Sequence, residues 1–282
     1  MSAGLHPPPT LQRAVGELRL SVKHAGDETT LDTLRQAGCL KARFPRRLVP
    51  GWLDAVMLNT GGGVAGGDRL DITIQAVAGT RITVAAQAAE RFYRSLCADQ
   101  PSRVRTTLTV AADAQLEWLP QETILFDRSA LDRRLEVDLA HTSRFLGVET
   151  LVFGRTAMGE AVRQGHLRDL IRIRRNGALI LHDAIRLDGP IADQLSRPAI
   201  AAGARAVATV IHVAPDAEAG LDAVREALSG AEAACTEAGA SAWNGMLIVR
   251  ILGTDSAVVR RTVAAALSVL RGSRPLPRVW LC

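Results

Sequence analysis

Cysteine, lysine and aromatic residues are all scarce in this chain, and each scarcity closes off a class of function. The four cysteines, Cys39, Cys97, Cys235 and Cys282, lie far apart and form no C-x-x-C. A disulfide framework or a zinc ribbon is therefore not expected, and a reducing cytoplasm fits. The six histidines (His6, His24, His141, His166, His182 and His212) are never spaced i, i+2 or i, i+4, so no compact imidazole site is encoded. No G-x-S-x-G nucleophile elbow occurs. No run of 18 uncharged apolar residues is present to span a membrane, and residues 1–11 show no apolar core behind a basic flank, so no secretory signal is expected.

Net charge is +5 with a pI near 9.5, which raises the question of an acidic partner. Of the 34 basic residues only Lys23 and Lys41 are lysines, and the arginines are dispersed. With four tryptophans, five phenylalanines and one tyrosine there is no series of stacking platforms, so nucleic-acid binding is not expected. At 282 residues, 48% hydrophobic and 22% charged, the chain can bury a sizeable core.

The densest feature is Asn59-Thr60-Gly61-Gly62-Gly63-Val64-Ala65-Gly66-Gly67-Asp68-Arg69-Leu70, with five glycines in seven positions. Such a run persists where the backbone needs positive φ or close approach. It matches G-x-G-x-x-G, but the residues after it place Leu70, Ile72, Ile74 and Ala76 at alternate positions, which marks a strand and not a helix. Without a helix N-terminus no dipole faces a pyrophosphate, and no Lys-Ser or Lys-Thr completes a P-loop. A parallel sheet with a helix springing from Gly66 would mark a cofactor fold instead. Two readings remain: a wide turn whose backbone Asp68 caps, or a rim that holds Asp68 and Arg69 at an opening.

Alternation predicts short strands over residues 14–20, 40–44, 54–58, 70–76, 81–85, 104–110, 115–119, 134–139 and 204–213. Residues 167–174 and 178–187 read as a hairpin across Arg175-Asn176-Gly177. The spacing predicts a mainly β chain of sandwiched or stacked sheets. Propensity alone predicts a helix over 84–96. Late in the chain, residues 215–238 and 254–270 read as amphipathic helices around a strand at 243–252, the second capped by Thr254 or Asp255 and stopped by Gly272. The expected organisation is a loose N-terminus over 1–12 and one domain over 13–282, with strands to 213 and helix–strand–helix plus a tail over 214–282.

Several carboxylates, Asp68, Glu90, Glu122, Glu149 and Glu160, lie in glycine- or arginine-flanked contexts. They read either as partners in Arg–carboxylate ties between loops or as oxygen ligands along a polar passage, weak enough to release a divalent ion.

Five ordered motifs carry a resemblance over nearly the whole chain, from about Gly38 to the C-terminus. They are Gly62-Gly63-x-x-Gly66-Gly67-Asp68-x-Leu70; Gln87-Ala88-Ala89-Glu90-Arg91-x-Tyr93-Arg94-Ser95; Glu117-Trp118-Leu119-Pro120-Gln121-Glu122-Thr123-Ile124; Gly154-Arg155-x-x-x-Gly159-Glu160; and Leu276-Pro277-Arg278-Val279-Trp280. Together they resemble the urease accessory protein UreD (UreH) family. Thr60, Ala86 and the Leu48-Val49-Pro50-Gly51-Trp52 step depart from its usual pattern. The resemblance implies stacked or helically arranged β-sheets in one large domain, with two late helices and extended structure over 84–96. It implies a non-enzymatic, cytoplasmic assembly factor that binds apo-urease and UreF, with UreG recruited through UreF. The assembly delivers nickel to the urease site, where a carbamylated lysine helps bridge two nickel ions. No tightly bound cofactor is implied, only transient Ni²⁺. Carried over by motif, Asp68, Glu160, Glu90 and Glu149 are expected to line a passage. Gly62, Gly63, Gly66, Gly67, Arg155, Tyr93 and Arg94 are expected to hold its loops. The competing readings are a docking scaffold with no metal passage, and a nucleotide-dependent enzyme that uses the glycine turn.

Overall fold

A computed structural model describes residues 12–96, 100–155, 158–231, 236–272 and 274–281. The chain opens with an antiparallel pair, β1 (Val15–Ala25) and β2 (Glu28–Gly38), then β3 (Leu40–Arg43) and β4 (Leu53–Asn59). From there it winds. β5 (Arg69–Ala76), β8 (Ser102–Val110), β11 (Ala130–Leu139) and β13 (Gly165–Arg175) lie parallel in one sheet, with β1 beside β5. The strands that alternate with them, β6 (Arg81–Ala86), β9 (Gln115–Leu119) and β12 (Arg144–Phe153), continue β4 in parallel in a second sheet. Parallel neighbours need a crossover, usually a helix. Here each crossover is a strand of the opposite sheet, so the chain builds a two-faced coil. β5 comes directly after Gly66-Gly67, and no helix starts at the glycines.

The crossings from the first sheet to the second, at 77–80, 111–114 and 140–143, are tight turns stacked on one another. Each closes an i→i+3 bond (Thr80 to Val77, Ala114 to Ala111, Ser143 to Ala140), and each hands on backbone bonds to the next. The return crossings are longer. They carry two short strands, β7 (Glu90–Phe92) and β10 (Thr123–Leu125), which pair with each other, and β10 also pairs with the end of β12. The expected helix over 84–96 is therefore absent: its start completes β6 and its middle is β7.

Beyond the coil, β14 (Ala178–Gly189) forms the expected hairpin with β13, its turn made by Asn176 and Gly177 at φ 49° and 79°. A short helix, α1 (Ile191–Ser196), leads to β15 (Ala206–Val213), antiparallel to β12. Then come α2 (Leu221–Ala231), β16 (Thr236–Trp243), β17 (Met246–Gly253) and α3 (Ser256–Leu270). α3 starts where expected, with the Asp255 side chain accepting from the Ala257 N–H at 2.8 Å.

Two expectations need correction. Of the helix predicted over 215–238, α2 covers Leu221–Ala231, residues 232–235 lie outside the described residues, and Thr236–Trp243 is a strand. The strand predicted over 243–252 is the second arm of a hairpin through Asn244 and Gly245, at φ 51° and 70°. Ala238, Ala240 and Ala242 fall on alternate positions of that strand. Those small side chains line the strand face that packs with α2, where tertiary packing overrides local propensity.

Apolar residues fill two layers. One lies between the sheets, with Ile74, Ile82, Leu108, Leu116, Leu131 and Ile173 among its fully buried members. The other lies between the second sheet and α2 and α3, with Val224, Leu228, Val259, Val263 and Leu267 from the helices. β12 sits between both layers and shows no alternation because it is buried on both faces.

The hairpin and α2 give a paired stability test by thermal denaturation. Gly245→Ala places a side chain at φ 70° against the Ala214 carbonyl and is expected to cost about 1–3 kcal/mol. Gly230→Ala, inside α2 with open space around it, is expected to add roughly 0.5–1 kcal/mol.

Candidate functional site

Stacking the windings brings the described residues of the four long return connections, 60–68, 87–101, 120–129 and 154–164, to one end of the molecule. Four of the sequence motifs meet there. The glycine run passes so close to the next connection that a Cβ on Gly63 would enter the Tyr93 ring, and one on Gly66 would strike Ser95. Gly62 and Gly67 adopt φ of 72° and 88°. Val64 bonds by both its backbone groups across the gap (Val64 N–H to the Arg91 carbonyl, Tyr93 N–H to the Val64 carbonyl, both 2.8 Å).

A relay of side chains crosses the same end. The Tyr93 hydroxyl donates to the Gly62 carbonyl at 2.8 Å, and its ring meets Phe126 edge-on at 5.1 Å. Arg155 stacks over Phe126 at 4.4 Å and pairs with Glu160 at 2.7 Å, whose other oxygen accepts from the Asp127 N–H. The backbone of Arg94 forms an isolated antiparallel bridge with that of Ser129. Burial raises the Glu160 pKa, but the Arg155 hydrogen bond and the Asp127 N–H outweigh it and leave it lowered.

Between the sheets lies a cavity of about 250 Å³. At the glycine turn it is bordered by Asn59, Gly62 and Glu90, and within the sandwich by Trp118, Thr123, Arg133 and Glu149. Among the described residues no histidine or cysteine borders it. The Asn59 amide donates to both Glu90 oxygens (3.2 and 3.1 Å) and to the Gly63 carbonyl. Burial raises the Glu90 pKa against these bonds.

Asp68 is buried, and both its carboxylate oxygens are taken by backbone: Ala14 N–H donates to one at 2.8 Å and Ala65 N–H to the other at 2.7 Å. It fastens the start of the chain's first strand to the glycine turn. Neither Asp68 nor Glu160 borders the cavity.

At the inner side, Arg133 uses every guanidinium nitrogen. Nε and Nη2 donate to the two Asp169 oxygens at 2.8 and 2.6 Å, and Nη1 reaches Glu149 Oε2 at 2.5 Å and Thr123 at 2.9 Å. Trp118 Nε1 donates to the remaining Glu149 oxygen at 2.9 Å. All three charged groups are at most 9% exposed. Burial raises the Glu149 pKa; Arg133 lowers it, and Asp169 adds repulsion. Burial also works against the Arg133 charge, but the two carboxylates overcome it and the guanidinium stays charged. Among the described residues no group of three or more His, Cys, Asp or Glu is placed to hold a metal ion.

Arg133 and Asp169 escaped the sequence reading, although a signal was present. Both fall on the inward parity of their strands, Arg133 with Leu135 and Val137, Asp169 with Leu167 and Ile171. The anchoring of the motif that begins at Glu117 escaped it too. Glu117 is buried on the outer face of the second sheet, bound by Thr83, Arg271 and Arg274. Trp280 Nε1 donates to the Leu119 carbonyl at 3.0 Å, and Arg260 pairs with Glu122 at 2.8 Å, so the C-terminal motif is strapped to the central one.

Residues 14–281 match the family model described as UreD urease accessory protein. The chain is 51% identical to the urease accessory protein UreD of Xanthobacter autotrophicus over 95% of this chain and 90% of that protein. It is 46% identical to the one from Azorhizobium caulinodans over 96% and 98%, and 45% identical to the one from a Methylobacterium species over 98% of each.

Two stability measurements probe the site. Asp68→Asn turns a donor toward a backbone N–H and is expected to cost about 1–3 kcal/mol in chemical denaturation. Because the folded Glu90 pKa lies above 4.5, the native state binds that proton more tightly than the unfolded chain. Its contribution is complete at low pH and is lost as pH rises through the raised value. Across a pH series, Glu90→Gln is expected to gain stability relative to the parent as pH climbs above 4.5.

Proposed function

The chain belongs to the UreD family of urease accessory proteins, and from that membership we propose that it works with UreF, and through UreF with UreG, on apo-urease to promote nickel insertion. It acts as an assembly factor, not an enzyme, and Ni²⁺ is its cargo.

One observation carries the proposal of a metal passage: in a cavity with largely apolar walls, the oxygen donors are carboxylate, amide and hydroxyl groups and, among the described residues, no imidazole or thiol borders it, the Met57 thioether being its one sulfur. Ni²⁺ binds nitrogen and soft sulfur donors tightly, whereas oxygen donors hold it weakly enough to release it. The cavity has room for several waters, enough for an ion that keeps part of its hydration shell. Glu90 would receive the ion near the glycine turn and Glu149 would receive it deeper in. Asp68 and Glu160, whose oxygens are engaged by backbone and by Arg155, would keep the mouth in shape and so affect the passage indirectly.

A specific observation also favours the docking-scaffold reading: every oxygen of Glu149 and Asp169 is already engaged, so the resting site offers no free ligand. Nickel-dependent activation of urease by co-purified complexes separates the two. Glu90→Gln and Glu149→Gln are each expected to lower activation about tenfold, the scale on which loss of one metal-facing contact acts, with UreF and urease still bound. Normal activation by both variants in intact complexes would leave docking as the function.

A further inference from the structure

The Arg133–Glu149–Asp169 cluster is placed where its charge matters most. Glu149 borders the 250 Å³ cavity on one side, and on the other a second, much smaller void that it shares with Asp169, Asp183 and Thr209. Past that void, Arg250 pairs with Asp183 at 2.8 Å and donates to Thr209 at 2.8 Å, with 44% of its side chain exposed. A line of polar groups, buried at its centre, thus runs from the glycine turn through the sandwich to a partly exposed arginine. Within it, one guanidinium stands between two carboxylates, one positive charge short of balance.

We infer that Arg133 is a tethered counter-ion that occupies the place of the travelling divalent cation between Glu149 and Asp169, and swings aside to admit it. This deepens the passage reading and rests on it. Two desolvated carboxylates facing each other without a cation repel, and a divalent ion entering between them would be held too firmly to leave. A guanidinium that forks onto one carboxylate and reaches the other satisfies both while the site waits. It also lowers the net affinity for the ion, because the ion must first displace it. The exchange is purely ionic: the cation takes over the carboxylate oxygens, and Arg133 moves into the larger cavity its side chain already borders. There Thr106 borders the space, and Thr123, which already accepts from the guanidinium, lines it too. When the ion leaves, the guanidinium returns and closes the site behind it.

The test is nickel retention by the full chain co-purified with its assembly partners. Complexes are equilibrated with Ni²⁺ alone, desalted and analysed for metal, and urease activation is measured in parallel. Arg133→Met is expected to retain about one Ni²⁺ per chain beyond the parent and to activate urease more slowly; adding Glu149→Gln is expected to abolish the retention. Arg133→Lys keeps a charge in the site, so it guards against simple misfolding. Its point-like ammonium cannot fork onto both carboxylates, and its retention should fall between parent and Arg133→Met. Retention at the parent level in both Arg133 variants overturns the counter-ion role. If that happens while Glu90→Gln and Glu149→Gln still impair activation, the passage stands and only the gate falls. If those two activate normally, the passage falls whatever the retention shows.

Discussion

In each winding of this chain one crossing between the sheets takes four residues and the other takes nine or more, and stacking the windings necessarily stacks the long crossings. Parallel pairing imposes this: neighbouring strands run the same way, so every return has to begin at the same end. Motifs about thirty residues apart in sequence become adjacent layers. The glycine run, Tyr93, Phe126, Arg155 and Glu160 then touch in series across successive windings. Glycine is required there because successive layers sit one strand spacing apart, which leaves no room for a side chain between Val64 and the Tyr93 layer.

The same winding places charge in the core. Arg133, Glu149 and Asp169 come from three strands in two sheets and meet between them. Such a cluster is hard to explain by stability. Taking ions out of water is costly, and well-packed apolar residues of similar volume usually serve a fold as well or better. Thr123 and Trp118 complete its hydrogen bonding, so no charged group there lacks a partner. A cluster that stability does not call for, bordering an internal void, is where a functional reading has most purchase.

The second polar cluster has the opposite character. Glu117 is saturated by Thr83, Arg271 and Arg274 on the outer face of the second sheet, and Arg274 also covers the Trp52 ring at 3.7 Å. Together with Trp280 on the Leu119 carbonyl, it binds the end of the chain to its middle. Glu117 and Trp118 are neighbours on one strand, yet they serve two sides of the sheet. One anchors the C-terminal segment and the other orients Glu149.

Local sequence was sufficient for elements whose two faces differ. Leu135, Val137 and Leu139 alternate with charged residues and announced a strand, Asn176-Gly177 announced a hairpin, and Asp255 with Val259, Val263 and Leu267 announced a helix. It failed where both faces are buried, as in β12, and where small residues were selected by a neighbour, as in β16 against α2. The ordered motifs were enough to point to the family. They did not distinguish Asp68, whose oxygens are spent on backbone N–H groups, from Glu90, which borders the cavity. Nor did they join Arg133 to Asp169, 36 residues away. Periodicity reports only which face of a strand a side chain occupies. Which residues of other strands share that face is set by the register of the windings, and only the folded chain establishes that register.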